Sequence, residues 1–133
     1  MDVSFGSPSK IDLRYAEHTL VFTICDCSLD KKYSFYGLTR QQSETFIGRL
    51  KHLEKLSWSQ IASLDRKNGL TTEKVDGESY DMIDYQNSCD DILEKFYFHL
   101  RIEQTGLFRI FGYQKERFFC ITHIDRDGKI HHS

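Results

Sequence analysis

The chain has 133 residues, of which 39% are hydrophobic and 29% are charged, with one proline and eight glycines. This length suits one hydrophobic core, and the composition excludes collagen-like, low-complexity and wholly disordered chains. No apolar stretch approaches the roughly 20 residues that cross a bilayer, and residues 1–10 lack the apolar segment of a secretion signal. We therefore expect one cytoplasmic domain without a membrane partner.

Charge is segregated along the chain, although the formal net charge is only -2. Residues 64–94 contain three Lys/Arg and nine Asp/Glu, a balance of -6, whereas residues 95–133 have a balance of +3 and four of the six histidines. Such asymmetry indicates different roles for the two parts. From charge alone, the simpler interpretation is that both parts form ordinary solvated surfaces.

The four cysteines are Cys25, Cys27, Cys89 and Cys120. Their spacing lacks the paired Cys-x-x-Cys of a structural zinc site and the density of a disulfide framework. We therefore expect reduced, mostly structural thiols and no metal or other cofactor. A zinc site built from Cys25, Cys27 and histidines of distant segments stays open as an alternative.

The first half of the chain predicts an N-terminal extension, a strand and two helices. Residues 1–17 are polar and irregular, and residues 18–26 are β-branched and aromatic, as in a strand. From Thr39, a predicted N-cap, apolar residues recur at helical spacing as far as Leu56. A second, short helix is expected to start at Ser57.

The second half predicts a long acidic insert followed by an antiparallel meander. We interpret residues 64–94 as a loop with a helical turn near 88–95. Alternating apolar and polar residues then predict three strands joined by short turns, over 96–103, 107–113 and 117–124, with a possible edge strand at 129–132. Residues 18–133 are therefore expected to form a single α+β domain.

A polar face of the meander carries the candidate site. If Gln104 to Gly106 form the first turn, Arg101 lies opposite Arg109, and two guanidiniums side by side favour an anionic ligand such as phosphate. Aromatic rings of Tyr97, His99 and Tyr113 on the same face suit the stacking of unpaired RNA bases. A solvated sheet face with Arg101 paired to an acidic residue is the alternative.

His123 and His131 are candidates for proton transfer near neutral pH. RNA cleavage without a metal needs a base for the ribose hydroxyl, cations for the charged phosphorane and an acid for the leaving oxygen. The face of His123 depends on the second hairpin: a three-residue turn places it on the arginine face, and a two-residue turn places it on the opposite face. A lone strand histidine is also common as a structural residue.

Three segments carry a resemblance to a known family. They are FRIFGY at 108–113, FFCITHID at 118–125 and KIH at 129–131, together with the helical LEKLSW at 53–58. With the order strand, helix, helix and meander, this pattern resembles the RelE/ParE toxin superfamily. The resemblance covers residues 39–62 and 96–132.

The resemblance implies an α+β fold, with an N-terminal strand and two helices packed on the C-terminal meander. It further implies metal-independent cleavage of mRNA, often on the ribosome, and a cognate antitoxin partner. Arg109 would bind phosphate, and His131 or His123 would occupy acid or base positions. Arg126 and Lys129 would add cations for RNA. The slightly acidic net charge and the acidic insert depart from the family pattern.

The sequence therefore predicts a toxin-like endoribonuclease in which Arg101 and Arg109 hold phosphate and His123 or His131 moves the proton. The alternative is a noncatalytic protein-interaction module of the same fold, in which the acidic segment covers the basic face or docks a partner. Some members of the superfamily lack nuclease activity, so fold alone does not fix the chemistry.

Overall fold

The computed structural model describes residues 11–30, 32–64, 69–74, 96–103 and 106–128; the side chains of 72–74, 96 and 97 are outside this description. After a short 3-10 helix at Leu13–Tyr15, two helices and five strands follow. In chain order they are β1 (Val21–Thr23), α1 (Arg40–Leu53), α2 (Trp58–Ala62), β2 (Leu70–Lys74), β3 (Phe96–Arg101), β4 (Arg109–Lys115) and β5 (Phe118–Asp125).

The strands form one mixed sheet in the order β1-β5-β4-β3-β2. Strands β2 to β5 pair antiparallel with their neighbours, and β1 pairs parallel with β5. The sheet therefore combines the predicted meander with a parallel N-terminal edge strand. Two helices and a sheet confirm the predicted mixed α+β class.

The first helix follows its predicted N-cap, Thr39, and the second follows Ser57, its predicted start, which is itself an N-cap. The Thr39 hydroxyl accepts the Gln42 N–H, and the Gln42 side chain accepts the Thr39 N–H in return. Ser57 and Gln60 form the same reciprocal capping box at α2. Each box satisfies two backbone donors that a helix start leaves without partners.

The core lies between the helices and one face of the sheet. Phe46 and Leu53 of α1 and Trp58 of α2 are buried against Phe98, Ile110 and other sheet residues. The Trp58 indole stacks on Phe119 at 6.2 Å and donates to the Arg117 carbonyl at 2.9 Å. The indole N–H of Trp58 thus has a hydrogen-bond acceptor although its ring lies in an apolar cluster.

Two parts of the sequence interpretation change. The predicted loop 64–94 contributes strand β2, which pairs along its whole length with β3, so the sheet has a fifth strand. Threonines at 71 and 72 suit this edge position. Residues 75–95, including the predicted helical turn, lie outside the described residues. In the predicted N-terminal extension, Ile11 is buried in the core.

No helix in the described ranges is long and apolar enough to span a membrane.

Candidate nucleic-acid interface

The arginines predicted to face each other do so. Arg101 of β3 and Arg109 of β4 are direct partners in the register, and Asp125 of β5 is the partner of Arg109 on the other side. Residues paired in this way share a face of the sheet. Two guanidiniums and one carboxylate therefore form a row across three strands, with Asp125 fully buried and Arg109 9% exposed.

The next row on the same face contains both predicted histidines of the strands. His99, Phe111 and His123 are successive register partners on β3, β4 and β5. The Phe111 ring lies 5.3 Å from the His99 ring, and all three side chains are buried. On one face of a sheet, neighbouring rows of side chains are two residues apart along each strand. The histidine row therefore lies about 7 Å along the strands from the arginine row.

A β-bulge determines on which face of the sheet His123 lies. The β4–β5 turn has two residues, Glu116 and Arg117, which alone would place His123 opposite the arginine face. The register shifts between Phe111 and Gly112, so that Thr122 is the extra residue on β5. One extra residue turns the following side chains to the other face. His123 is therefore on the arginine face despite the short turn.

The chain segment after β1 covers part of this face. The Ser28 N–H donates to the Thr122 carbonyl at 2.7 Å, and the Ile124 N–H donates to the Tyr33 carbonyl at 2.8 Å. The Tyr33 ring packs edge-on against the His123 ring at 5.3 Å. His123 is only 2% exposed, and its Nδ1 lies 2.9 Å from the Thr122 hydroxyl. Sequence reasoning does not predict this cover, because residues 28–37 are rich in residues typical of turns and show no strand or helix periodicity.

Two further arginines lie near the arginine row. Arg49 of α1 directs its Nε to the Arg101 carbonyl at 3.4 Å, and burial lowers the pKa of its guanidinium. Arg126 follows Asp125 and lies near the Tyr36 carbonyl, with its Nε 3.5 Å from Asp127. We call these four arginines, Arg49, Arg101, Arg109 and Arg126, the arginine end of the sheet.

Arg49, Arg101 and Arg126 are the half-exposed members of the arginine end, and Arg109 is buried. The Arg109 Nε donates to the Leu107 carbonyl at 3.2 Å. A phosphate arriving from solvent would therefore meet the three half-exposed arginines before Arg109.

Tyr113, predicted to stack on RNA bases, is buried at the far end of the same face. Its hydroxyl donates to the Asp26 carboxylate, and burial, with that hydrogen bond, raises the pKa of Tyr113. Cys120 is its register partner. Tyr113 thus anchors the segment after β1 and presents little ring surface to a base.

The structure describes less of the remaining predicted site residues. Tyr97 belongs to β3, but its side chain lies outside the described part of the chain, as do Lys129 and His131 entirely. Asp125 is the residue that sequence reasoning misses, because it falls between the predicted strands 117–124 and 129–132. Its position opposite Arg109 follows from the bulge, whose sequence signal is Gly112 inside a strand pattern.

Within the described ranges, no three His, Cys, Asp or Glu side chains cluster closely enough to hold a metal ion. Cys89 and the histidines at 131 and 132, which the zinc alternative could use, lie outside those ranges.

Comparison of the chain with protein-family models, with curated proteins and with solved structures found no match in any of the three.

Proposed function

We propose that this chain is a RelE-like endoribonuclease of a toxin–antitoxin pair that binds the RNA backbone at the arginine end. The observation that carries the proposal is the row of Arg101, Arg109 and Asp125 across three strands. The order strand, helix, helix and meander, with an N-terminal edge strand, supports the RelE-like fold.

The charges at the arginine end favour an anionic ligand. Four arginines lie at this end of the sheet, with Asp125 as the register partner of Arg109 and Asp127 3.5 Å from Arg126. Asp125 offsets part of the repulsion between Arg101 and Arg109, which favours their adjacency. Guanidiniums bind phosphate oxygens through paired N–H groups, and a nucleic-acid backbone such as that of RNA offers phosphates in series.

His131 is the better of the two predicted groups for proton transfer. His123 lies beneath Tyr33 and is nearly inaccessible, whereas an acid or base must reach the proton that it transfers. His131 lies outside the described residues, and its role is the one that the resemblance to the RelE/ParE superfamily implies. We therefore assign proton transfer to His131 and a packing role to His123.

The test is induced expression in a bacterial host of the wild type, Arg101→Ala and His131→Ala. Wild type should arrest growth and generate new mRNA 5′ ends, and both variants should lose most of this activity. Mapping the ends with translation active and with translation blocked shows whether cleavage needs the ribosome. Arg101 is a better test position than Arg109 because its side chain is more exposed.

Arg40→Ala is the matched control, because Arg40 is an exposed arginine of α1 that pairs with Glu44, 3.5 Å away. It should arrest growth as wild type does. Normal growth with intact mRNA from soluble, folded wild-type protein would overturn the nuclease proposal. Equal activity of Arg101→Ala and wild type would reject the arginine end as the RNA site.

A second candidate is a noncatalytic protein-interaction module, which a separate apolar surface favours. Leu29 is 94% exposed and Tyr36 69% exposed, and both line a cleft of about 400 Å³ that also includes Ile24 and Phe35. Exposed apolar groups around a cleft are typical of protein-binding surfaces. Harmless expression, with protein binding that Leu29→Asp abolishes and Arg101→Ala leaves unchanged, would favour this candidate.

A further inference from the structure

A second cavity lies at the end of the sheet away from the arginines, where β1, β4 and β5 meet. Its volume is about 480 Å³, and two of its lining residues are cysteines, Cys25 and Cys120. Neither cysteine has a role in the proposed function. Cys25 is exposed, and Cys120 is buried in the wall.

The fold brings these two cysteines, 95 positions apart in sequence, to one place. Thr23 of β1 is the register partner of Cys120 on β5, and Cys25 follows Thr23 by two residues. The chain then turns, with the Cys27 N–H bonded to the Ile24 carbonyl at 3.0 Å. The next residue after Cys25, Asp26, accepts the hydroxyl of Tyr113, which is itself the register partner of Cys120.

The turn therefore folds over the pair formed by Tyr113 and Cys120. A disulfide requires Cα atoms within about 7 Å, and neighbouring strands are about 4.8 Å apart. The turn at residues 24–27 starts from such a strand pairing and both cysteines line one cavity, so movement of this turn is what would bring the sulfur atoms together. Cys25 is exposed and lies two residues beyond the end of β1, where such movement costs least.

We propose that Cys25 and Cys120 form a redox-active dithiol that closes to a disulfide on reaction with a small-molecule disulfide such as oxidised glutathione. The Cys25 thiolate attacks one sulfur of the oxidant, forming a mixed disulfide and releasing one glutathione thiolate. Cys120 then loses its proton to solvent and attacks the Cys25 sulfur, which releases the second glutathione. Two protein thiols are oxidised, and one glutathione disulfide is reduced to two thiols.

Cys27 is the competing partner for Cys25, and its contacts disfavour it. Its thiol donates to the Tyr33 carbonyl at 3.9 Å, and it lines the other cleft, beside Leu29. Cys25 and Cys27 therefore face different cavities although one residue separates them. Burial raises the pKa of both Cys27 and Cys120, so exposed Cys25 reacts first and ring closure is the slower step.

The test treats reduced full-length protein with oxidised glutathione and maps the products by mass spectrometry without reduction. The expected result is loss of two hydrogen atoms and one cross-linked peptide pair containing Cys25 and Cys120. The rate of closure should rise with pH, because more Cys120 is then ionised. A persistent glutathione adduct on Cys25 in the wild type, or a link from Cys25 to Cys27 or Cys89, would overturn the proposal.

Two variants sharpen the result. Cys27→Ser is the matched control from the same turn and should form the link as wild type does. Cys120→Ala should retain glutathione on Cys25 without closing. Loss of the link in Cys27→Ser would also reject the pairing, and circular dichroism confirms that each variant is folded.

Discussion

At the scale of single residues, the arginines of the candidate site differ in what they do for the fold. Arg109 is enclosed, donates to the Leu107 carbonyl and lies opposite the fully buried Asp125. A buried carboxylate is costly unless a cation or hydrogen-bond donors compensate it. Arg101 is more exposed, so a ligand can reach its side chain more easily and solvent screens its charge more.

We expect Arg109→Ala to lower the free energy of unfolding by about 2–4 kcal/mol, because it removes the cation opposite a buried carboxylate. Arg101→Ala should cost less than about 1 kcal/mol. Urea denaturation followed by circular dichroism measures both. Equal losses for the two variants would contradict the different roles assigned to them.

A buried thiol makes stability depend on pH. Burial raises the pKa of Cys27 from 9.0 to about 11. Below pH 9 the thiol is neutral in both the folded and the unfolded state, and it contributes fully to the free energy of unfolding. As the pH rises toward 11, the thiol loses its proton in the unfolded state but keeps it in the folded state. Stability therefore falls with rising pH in this range.

Cys27→Ser should remove this pH-dependent part of the free energy of unfolding, which amounts to roughly 1–2 kcal/mol between pH 9 and pH 11. The measurement is the difference between wild-type and variant unfolding free energies across that range, under reducing conditions. Other groups that titrate there contribute equally to both proteins and cancel. A constant difference from pH 8 to pH 11 would show that the Cys27 thiol does not carry the effect.

At the scale of elements, the β4–β5 hairpin determines the composition of the candidate face. Its two-residue turn and its bulge act together, and only their combination places His123 and Asp125 beside the arginines. Gly112 lies at the register shift, where a Cβ would overlap the Cys120 carbonyl and approach the Phe119 ring to 2.7 Å. The bulge therefore depends on glycine at this position.

Gly112→Ala should lower stability by about 3 kcal/mol or prevent folding, since the obstructing carbonyl belongs to a paired strand. Gly48→Ala is the control, because a Cβ there meets nothing within 4 Å and alanine favours a helix. It should raise stability by about 0.5–1 kcal/mol. Thermal unfolding of both variants tests this, and a tolerated Gly112→Ala would contradict the close packing at the bulge.

At the scale of the whole molecule, the distribution of charge matters more than its sum. A net charge of -2 disfavours general attraction to nucleic acid. Arg49, Arg101 and Arg126 are half-exposed at one end of the sheet, and screening confines the influence of distant carboxylates to about 10 Å at 0.1 M salt. We therefore expect modest RNA affinity that depends on a few phosphate contacts.

Single-stranded RNA should bind with an affinity that decreases as salt increases. Arg101→Ala should weaken binding severalfold and reduce the slope of log affinity against log salt by about 1. Arg40→Ala should leave both quantities unchanged. Fluorescence anisotropy at several salt concentrations measures them, and an unchanged slope in Arg101→Ala would place the RNA elsewhere.

Features that depend on near neighbours in the chain can be predicted from this sequence. Helix starts at Thr39 and Ser57 followed from capping residues and apolar spacing, because these signals act within one turn of the chain. The opposition of Arg101 and Arg109 followed from strand alternation and a short turn, which together fix a register.

Which of those residues are accessible, and which face they share, depends on contacts formed in the folded chain. The bulge that turns His123 toward the arginines, the burial of that histidine beneath Tyr33 and the pairing of β2 with β3 depend on contacts between distant segments. Residue spacing carries little information about such contacts, since their energy comes from packing between elements rather than from local propensity.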